Sequence, residues 1–333
     1  MLKIWFDVLT PKHYLMFASL ERIIGRENEL LLTTREYEEL DRVRRRIRVR
    51  AQDNVIGRHG GAEKENKLIE STRRAYELSR LIASSRPQLA VSFGSPEAAR
   101  VSFGLGIPHA LVCDSPHSFF VCKLTVPLSD VVIYPWIIPA SSWKQYGASK
   151  MVKYHSLDPT AWVLHREIWP EKNEVERASE GAIIIREEEY MSSYLPNSSG
   201  ALEFALKLSR EIPDRRFIML RRYVRGIENY GNLMVYGGEF FGPNVLEKAA
   251  AFIGRGGTMN AEAALLGVKS FTLYPGEITC VDKYLIKVGA LKKPNGISEL
   301  VKLLQEDGKT RILKMRDAAQ EISEILRKFY HIA

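Results

Sequence analysis

Cysteine is scarce in this 333-residue chain, with only Cys113, Cys122 and Cys280 present. An odd, scattered set forms neither a disulfide framework nor a zinc-ligand pattern, and it fits a reducing cytoplasm. Long apolar runs are missing too: the longest, Val131 to Ala140, is interrupted by Pro135 and Pro139, so no membrane span is expected. Met1 to Thr10 carries Asp7 inside a short apolar run and lacks a signal-peptide pattern. There is no helix-turn-helix, zinc-finger or RNA-binding aromatic signature, which sets nucleic acid aside as a partner. What remains is a 45% hydrophobic, 26% charged composition, ordinary for a soluble globular protein. At roughly 150 residues per domain, the length suits one large or two medium domains.

The net charge of +8 is unevenly spread: residues 1–155 hold 23 basic and 16 acidic residues, against 25 and 24 in the remainder. Six arginines fall between Arg42 and Arg50, separated by Val43, Ile47 and Val49. One reading is a solvated helix end running into an edge strand. The other is a basic surface for phosphate groups, either on an anionic substrate or on an anionic lipid at the cytoplasmic membrane face. If part of Val131 to Ala140 is exposed, it would join that surface.

Short Val-, Ile- and Phe-rich runs alternate with segments of helical period, the rhythm of repeated βα units with parallel sheets. Strands are expected at 2–8, 29–33, 88–93, 109–112 and 131–134, with helices at 13–25, 36–46 and 63–84 and another from Pro96. The 63–84 helix would turn Leu68, Thr72, Ala75, Ser79 and Ile82 to one face. Residues 156–180 carry Trp162, Trp169, Pro159 and Pro170 among charges without a period, as a linker would. The rhythm restarts with strands at 182–185, 216–220, 233–236, 251–253 and 270–273, and a helix at 310–330 closes the chain. The expected fold class is therefore α/β: two Rossmann-like domains, 1–155 and 181–309, their parallel sheets facing a cleft, followed by a C-terminal helix at 310–333. Ligands of such sheets bind beyond the carboxyl ends of the strands.

The strongest local motif runs from Phe252 to Gly267. A buried strand ends in Gly254, Gly256 and Gly257, and a helix opens at Thr258, whose hydroxyl is placed to cap it. The first-turn amides suit a phosphate or diphosphate, and Glu262, one turn in, suits a vicinal diol such as a ribose. Mere packing is the alternative for such a turn. Elsewhere, Arg58-His59-Gly60-Gly61 is a basic glycine loop, and Ser95 is either a plain helix cap or part of a ligand-facing helix start.

The 252–267 run resembles the diphosphate and ribose site of GT-B-fold nucleotide-sugar enzymes, including the peptidoglycan N-acetylglucosaminyltransferase and UDP-N-acetylglucosamine 2-epimerases. Nearly the whole chain is similar to the archaeal and bacterial proteins grouped as domain of unknown function 354. The segments carrying that similarity are Ile4-Trp5-Phe6-Asp7 with Pro11 and His13, Ile56 to Gly61, Gly94 to Arg100, Gly256 to Gly267 and Tyr274-Pro275-Gly276.

The resemblance implies a GT-B-like fold in which the C-terminal domain holds a nucleotide-diphospho sugar and the N-terminal domain an acceptor. Donor contacts would come from Gly256, Gly257, Thr258, Met259, Asn260 and Glu262, and from Arg186 and Arg221 or Arg222. Gly237 to Phe241 would hold the base through backbone groups. His13, in the loop after the first strand, and Asp114 compete as the base that takes the acceptor hydroxyl proton, with His117 orienting Asp114 or the substrate. Each has a bland counterpart: a cap or packing residue for His13, an Asx or Ser-Pro turn for Asp114 to His117, a surface arginine among Glu187 to Glu189 for Arg186. No Asp-x-Asp element is present, and no metal or cofactor beyond the sugar nucleotide is expected. Glycosyl transfer ranks first, a 2-epimerase second and a non-catalytic nucleotide-sugar binder or scaffold third.

Overall fold

The computed structural model describes residues 1–187, 200–222, 224–254, 257–274, 278–306 and 312–332. These form two compact units: Met1–Ile168 together with Met315–Ala333, and Trp169–Lys314.

The first unit is built on a parallel sheet of seven strands. These are β1 (Lys3–Asp7), β2 (Glu29–Glu36), β3 (Asp53–Arg58), β4 (Leu89–Ser92), β5 (His109–Val112), β6 (Val131–Pro135) and β7 (Met151–Tyr154), ordered β3-β2-β1-β4-β5-β6-β7. The chain leaves β1 on one side and returns on the other at β4, so the switch point lies between β1 and β4, where Asp7 pairs with Ser92. The second unit has β8 (Ile183–Arg186), β9 (Phe217–Leu220), β10 (Gly226–Tyr230), β11 (Leu233–Gly237), β12 (Ala251–Gly254) and β13 (Ser270–Thr272), ordered β10-β11-β9-β8-β12-β13. All are parallel except β10, which pairs antiparallel with β11 at the edge. Here the switch point lies between β8 and β12.

Most predicted strands lie within two residues of the observed ones; β3, β7 and β10 carry too few apolar residues in period to announce themselves. The helix expected from His13 begins at Pro11, because Thr10 is extended and accepts a hydrogen bond from the His13 N–H while proline occupies the first turn. Of the face expected on the helix Lys64–Ser85, Ile82 is buried and Ala75 and Ser79 are half-buried, but the buried face is rotated from it. Leu68 and Thr72 are exposed, and Glu70, Arg74, Leu78 and Ile82 turn inward. The reason is electrostatic. Arg74 spans to Asp7 with NH1–Oδ2 of 3.0 Å and NH2–Oδ1 of 2.5 Å, and Gly57, at φ +68°, leaves room for its side chain to pass. Asp7 also accepts the Thr33 hydroxyl at 2.6 Å. Removing one member of a pair buried this deeply leaves an unmatched charge, typically worth about 3–5 kcal/mol.

Val131 to Pro135 is wholly buried as β6 between β5 and β7, whereas in the rest of that run Trp136 and Ile137 are half-buried and Pro139 and Ala140 exposed. No helix among the described residues is long and apolar enough to cross a membrane.

The last helix is Ala318–Tyr330, shorter than the expected 310–330; residues 307–311 lie outside the described residues and Ile312 is exposed. Asp317 caps it. Ile322 and Leu326 are fully buried in the first unit, Ser156 donates to Glu321 at 2.6 Å, and the Ala318 N–H reaches the Thr160 hydroxyl at 2.9 Å. The division between the units falls inside the stretch expected as a linker, which carries short helices at Thr160–Val163 and Glu174–Ala178.

Candidate functional site

In the first unit the start of the helix after β1 and the loops leaving β4 and β5 supply Lys12, His13, Phe93 and Asp114, and β7 leads to Asp158. Lys12 pairs with Asp114 and, at 2.7 Å, with Asp158, which also accepts the Tyr154 hydroxyl. Burial works against the Lys12 ammonium, but the two carboxylates outweigh it and raise the amine above its ordinary range. Burial would lift Asp114 as well; Lys12 and the Ser115 hydroxyl, 2.9 Å away, hold it below the usual carboxylate range. Burial wins at Asp158, which is pushed up, helped by Asp114. One ammonium thus serves two carboxylates, with Asp114 the firmly ionised one.

His13 stacks on Phe93 at 5.4 Å, and its Nδ1 is sealed from solvent without a hydrogen-bond partner among the described residues. Burial, then the Lys12 charge, lowers its pKa to about 3, so the imidazole is neutral at pH 7. His117 is exposed, and Asp114 accepts hydrogen bonds from Lys12 and Ser115. Ser95 does cap the helix Pro96–Leu105, accepting from the Ala98 N–H at 3.1 Å. Asp158 and Arg74 had no sequence signal: each lies far along the chain from its partner, Lys12 and Asp7 respectively.

In the second unit the helix Thr258–Leu265 follows β12. Its N-cap position belongs to Gly257, at φ +99° and ψ −176°, and not to Thr258; among the described residues no side chain caps the first-turn amides. Gly256 and Arg255 lie outside the described residues, as do Glu188, Glu189, Pro275 and Gly276. Asn260 is fully buried, donating to Asp282 at 3.2 Å, and a Cβ on Gly254 would stand 2.0 Å from its Oδ1. Glu262 is 4% exposed, and a Cβ on Gly242 would stand 2.4 Å from its Oε2. The two glycines therefore make room for two buried polar side chains. Met259 packs partly buried against the core beneath.

Arg186 ends β8 at the switch point. It is neither on the surface nor extended outward: its guanidinium lies 4.9 Å over the Phe240 ring and bonds the carbonyls of Leu220 and Arg221 at 3.3 and 3.1 Å. Arg221 is partly exposed, its Nε 3.5 Å from Glu187, which also accepts the Arg222 N–H at 2.9 Å. Glu176, buried and missed in the sequence, fastens the 237–241 loop by accepting the Phe241 N–H at 2.6 Å, and Asn173 donates to the Glu239 carbonyl at 2.7 Å.

The family described as protein of unknown function DUF354 matches residues 2–330. The chain belongs to the DUF354 family. An uncharacterized protein of Methanocaldococcus jannaschii is 29% identical over 318 residues, 92% of each chain. Among solved structures, the Neisseria meningitidis UDP-GlcNAc 2-epimerase bound to UDP-GlcNAc superimposes with a TM-score of 0.72 at 15% identity, covering 98% of this chain and 100% of that one. The M. jannaschii UDP-GlcNAc 2-epimerase in complex with UDP-GlcNAc and UDP gives 0.73 at 16% identity, covering 98% and 99%. The spinosyn rhamnosyltransferase complexed with thymidine diphosphate gives 0.64 at 12%, covering 98% and 100%. At these identities the likeness is one of fold, and this DUF354 protein has a GT-B-like α/β architecture shared by epimerases and glycosyltransferases.

The arginine cluster of this DUF354 chain is partly spent internally. Arg42 bonds Glu38 at 2.8 Å, Arg44 joins Asp41 and Asp53 at 2.8 and 2.6 Å, and Arg50 bonds the Glu21 carbonyl at 3.3 Å. Arg45 and Arg48 line a groove of about 520 Å³ with Tyr14 and Ile47.

Proposed function

We propose that this DUF354 protein is a glycosyltransferase that moves a sugar from a nucleotide diphosphate, UDP-linked in the first instance, to a hydroxyl acceptor. The donor would lie at the second switch point. There the uncapped amides of Thr258–Leu265 receive the diphosphate and stabilise the charge that develops on it as the glycosidic bond breaks. Glu262 serves the ribose, and the fastened 237–241 loop serves the base. The acceptor would lie at the first switch point, where His13 takes the hydroxyl proton and the ionised Asp114 favours the imidazolium that results.

The observation that carries transfer over epimerisation is the state of the first site. Its two carboxylates are engaged by one lysine, beside a single uncharged imidazole. Transfer needs one proton acceptor, whereas epimerisation at a sugar carbon needs an acid and a base working in turn. The epimerase reading draws on the higher TM-scores of the epimerase structures.

Titration calorimetry with nucleotide sugars and free nucleoside diphosphates, on the wild type and Glu262→Ala, tests the donor site. Saturable binding that weakens about tenfold or more in the variant is expected. Product analysis separates the chemistries: a transferase releases nucleoside diphosphate only with an acceptor, and an epimerase alters the sugar without one. His13→Gln should slow turnover by about 10²–10⁴-fold. Binding without turnover in any mixture would favour the non-catalytic reading, and no binding at all would end the donor assignment.

A further inference from the structure

Arg35 sits near the end of β2, two residues past the Asp7–Thr33 pairing and so beyond the carboxyl end of β1. It is half-buried, its Nε is closed to solvent, and among the described residues it makes no hydrogen bond and no ion pair. Its one contact of note is with the Tyr37 ring, 5.7 Å from the guanidinium carbon. The nearby acidic groups are committed elsewhere: Asp7 binds Arg74, and Glu97 lies 3.7 Å from Arg74 and accepts the Ser95 hydroxyl at 3.2 Å. Burial and the neighbouring Arg74 both work against the Arg35 charge, with Glu97 pulling the other way.

The surroundings add a donor. His59 stacks on the same Tyr37 ring at 4.7 Å, and its Nδ1 accepts the Gly61 N–H at 3.1 Å. A neutral His59 therefore carries its proton on Nε2 and donates there. A Cβ on Gly60 would stand 2.6 Å from the Lys67 Cα, so this loop presses against the helix Lys64–Ser85. The Arg35 charge opposes protonation of His13 and of His59 alike.

A half-buried guanidinium without an anion is unfavourable unless a ligand supplies one, and its planar fork matches a carboxylate or a phosphate. We propose that Arg35, with His59 as a second donor, is the anion-recognition subsite of the first unit and binds a carboxylate or phosphate group on the acceptor. This rests on the reading that the first unit holds the acceptor. An anion at Arg35 would also cancel one of the positive charges that oppose protonation of His13, so the acid group of the acceptor would strengthen the base that attacks for it.

The test titrates the full chain by calorimetry with methyl phosphate, with glucuronate and, separately, with UDP, using the wild type, Arg35→Gln and Arg35→Lys, and thermal melts confirm folding. Saturable binding of at least one anion to the wild type is expected, weakened about tenfold or more in Arg35→Gln, with UDP binding equal in all three proteins. The anion that binds names the acceptor's acid group. Equal anion binding by wild type and Arg35→Gln, or no binding of either anion to the wild type, overturns the proposal. If Arg35→Gln does not fold, Arg35→Lys decides, since it keeps the charge but loses the fork: undiminished binding there overturns the proposal. Loss of UDP binding throughout, with anion binding still dependent on Arg35, would refute the donor site and leave this subsite standing.

Discussion

Three histidines show how residue identity and surroundings part company. His13, His59 and His109 are each driven down by burial, to about 3, 4 and 4. His109 is fully buried between the Ser92 and Ser129 hydroxyls, at 2.9 and 3.0 Å. In each case the unfolded chain takes up a proton near pH 6.5 that the folded chain refuses, so stability is full above that pH and is lost as pH falls toward 4. The slope is up to about 1.4 kcal/mol per pH unit for each group. His165, raised by Asp317, acts in the opposite sense, one against three. All seven histidines lie outside residues 169–314. Urea unfolding followed at pH 7 and about pH 5 should therefore weaken the first unit, and replacing His109 with asparagine should flatten that dependence. The sequence singled out His13 from its place after a strand, but its neutrality comes from Lys12 and the burial around it, which no local pattern reports.

At the scale of elements, the helix that follows β12 was legible because glycines and a helical run leave a mark in the chain. Its cap was misread: threonine is the better capping side chain, yet the backbone at 257 takes a φ and ψ that only glycine adopts readily, and that decides the helix start. Gly257→Ala should cost about 1–3 kcal/mol in local strain and weaken nucleoside diphosphate binding, because the first-turn amides would be re-aimed. Calorimetry and a denaturant melt on the same variant check both parts, and unchanged binding with a lowered melt would separate the helix start from the ligand. The helix Lys64–Ser85 is where the sequence places it, and Ile82 is buried as expected, but the rest of the buried face is rotated away from Leu68 and Thr72 toward Arg74. An arginine reads as solvent-facing in any periodicity count, and only the buried Asp7 opposite makes Arg74 an interior residue.

At the scale of the molecule, the chain ends in the unit where it began. The helix Ala318–Tyr330 seals the first unit with Ile322 and Leu326 and supplies Glu321 to Ser156 and to the His155 N–H. Leu326→Ala should destabilise that unit by about 2–5 kcal/mol and leave the unfolding of the second unmoved, which two-probe denaturation would show. Strand and helix alternation, the two-part organisation, the family and the glycine turn after β12 were all determined by the sequence alone, because each is written in local spacing and in the conformational demands of single residues. The tertiary structure alone decided the switch points, the joining of Lys12 to Asp114 and Asp158, the pairing of Asp7 with Arg74 and the isolation of Arg35. Those depend on which distant segments meet and on which charges are left matched or unmatched when water is removed, and burial, not spacing, sets that balance.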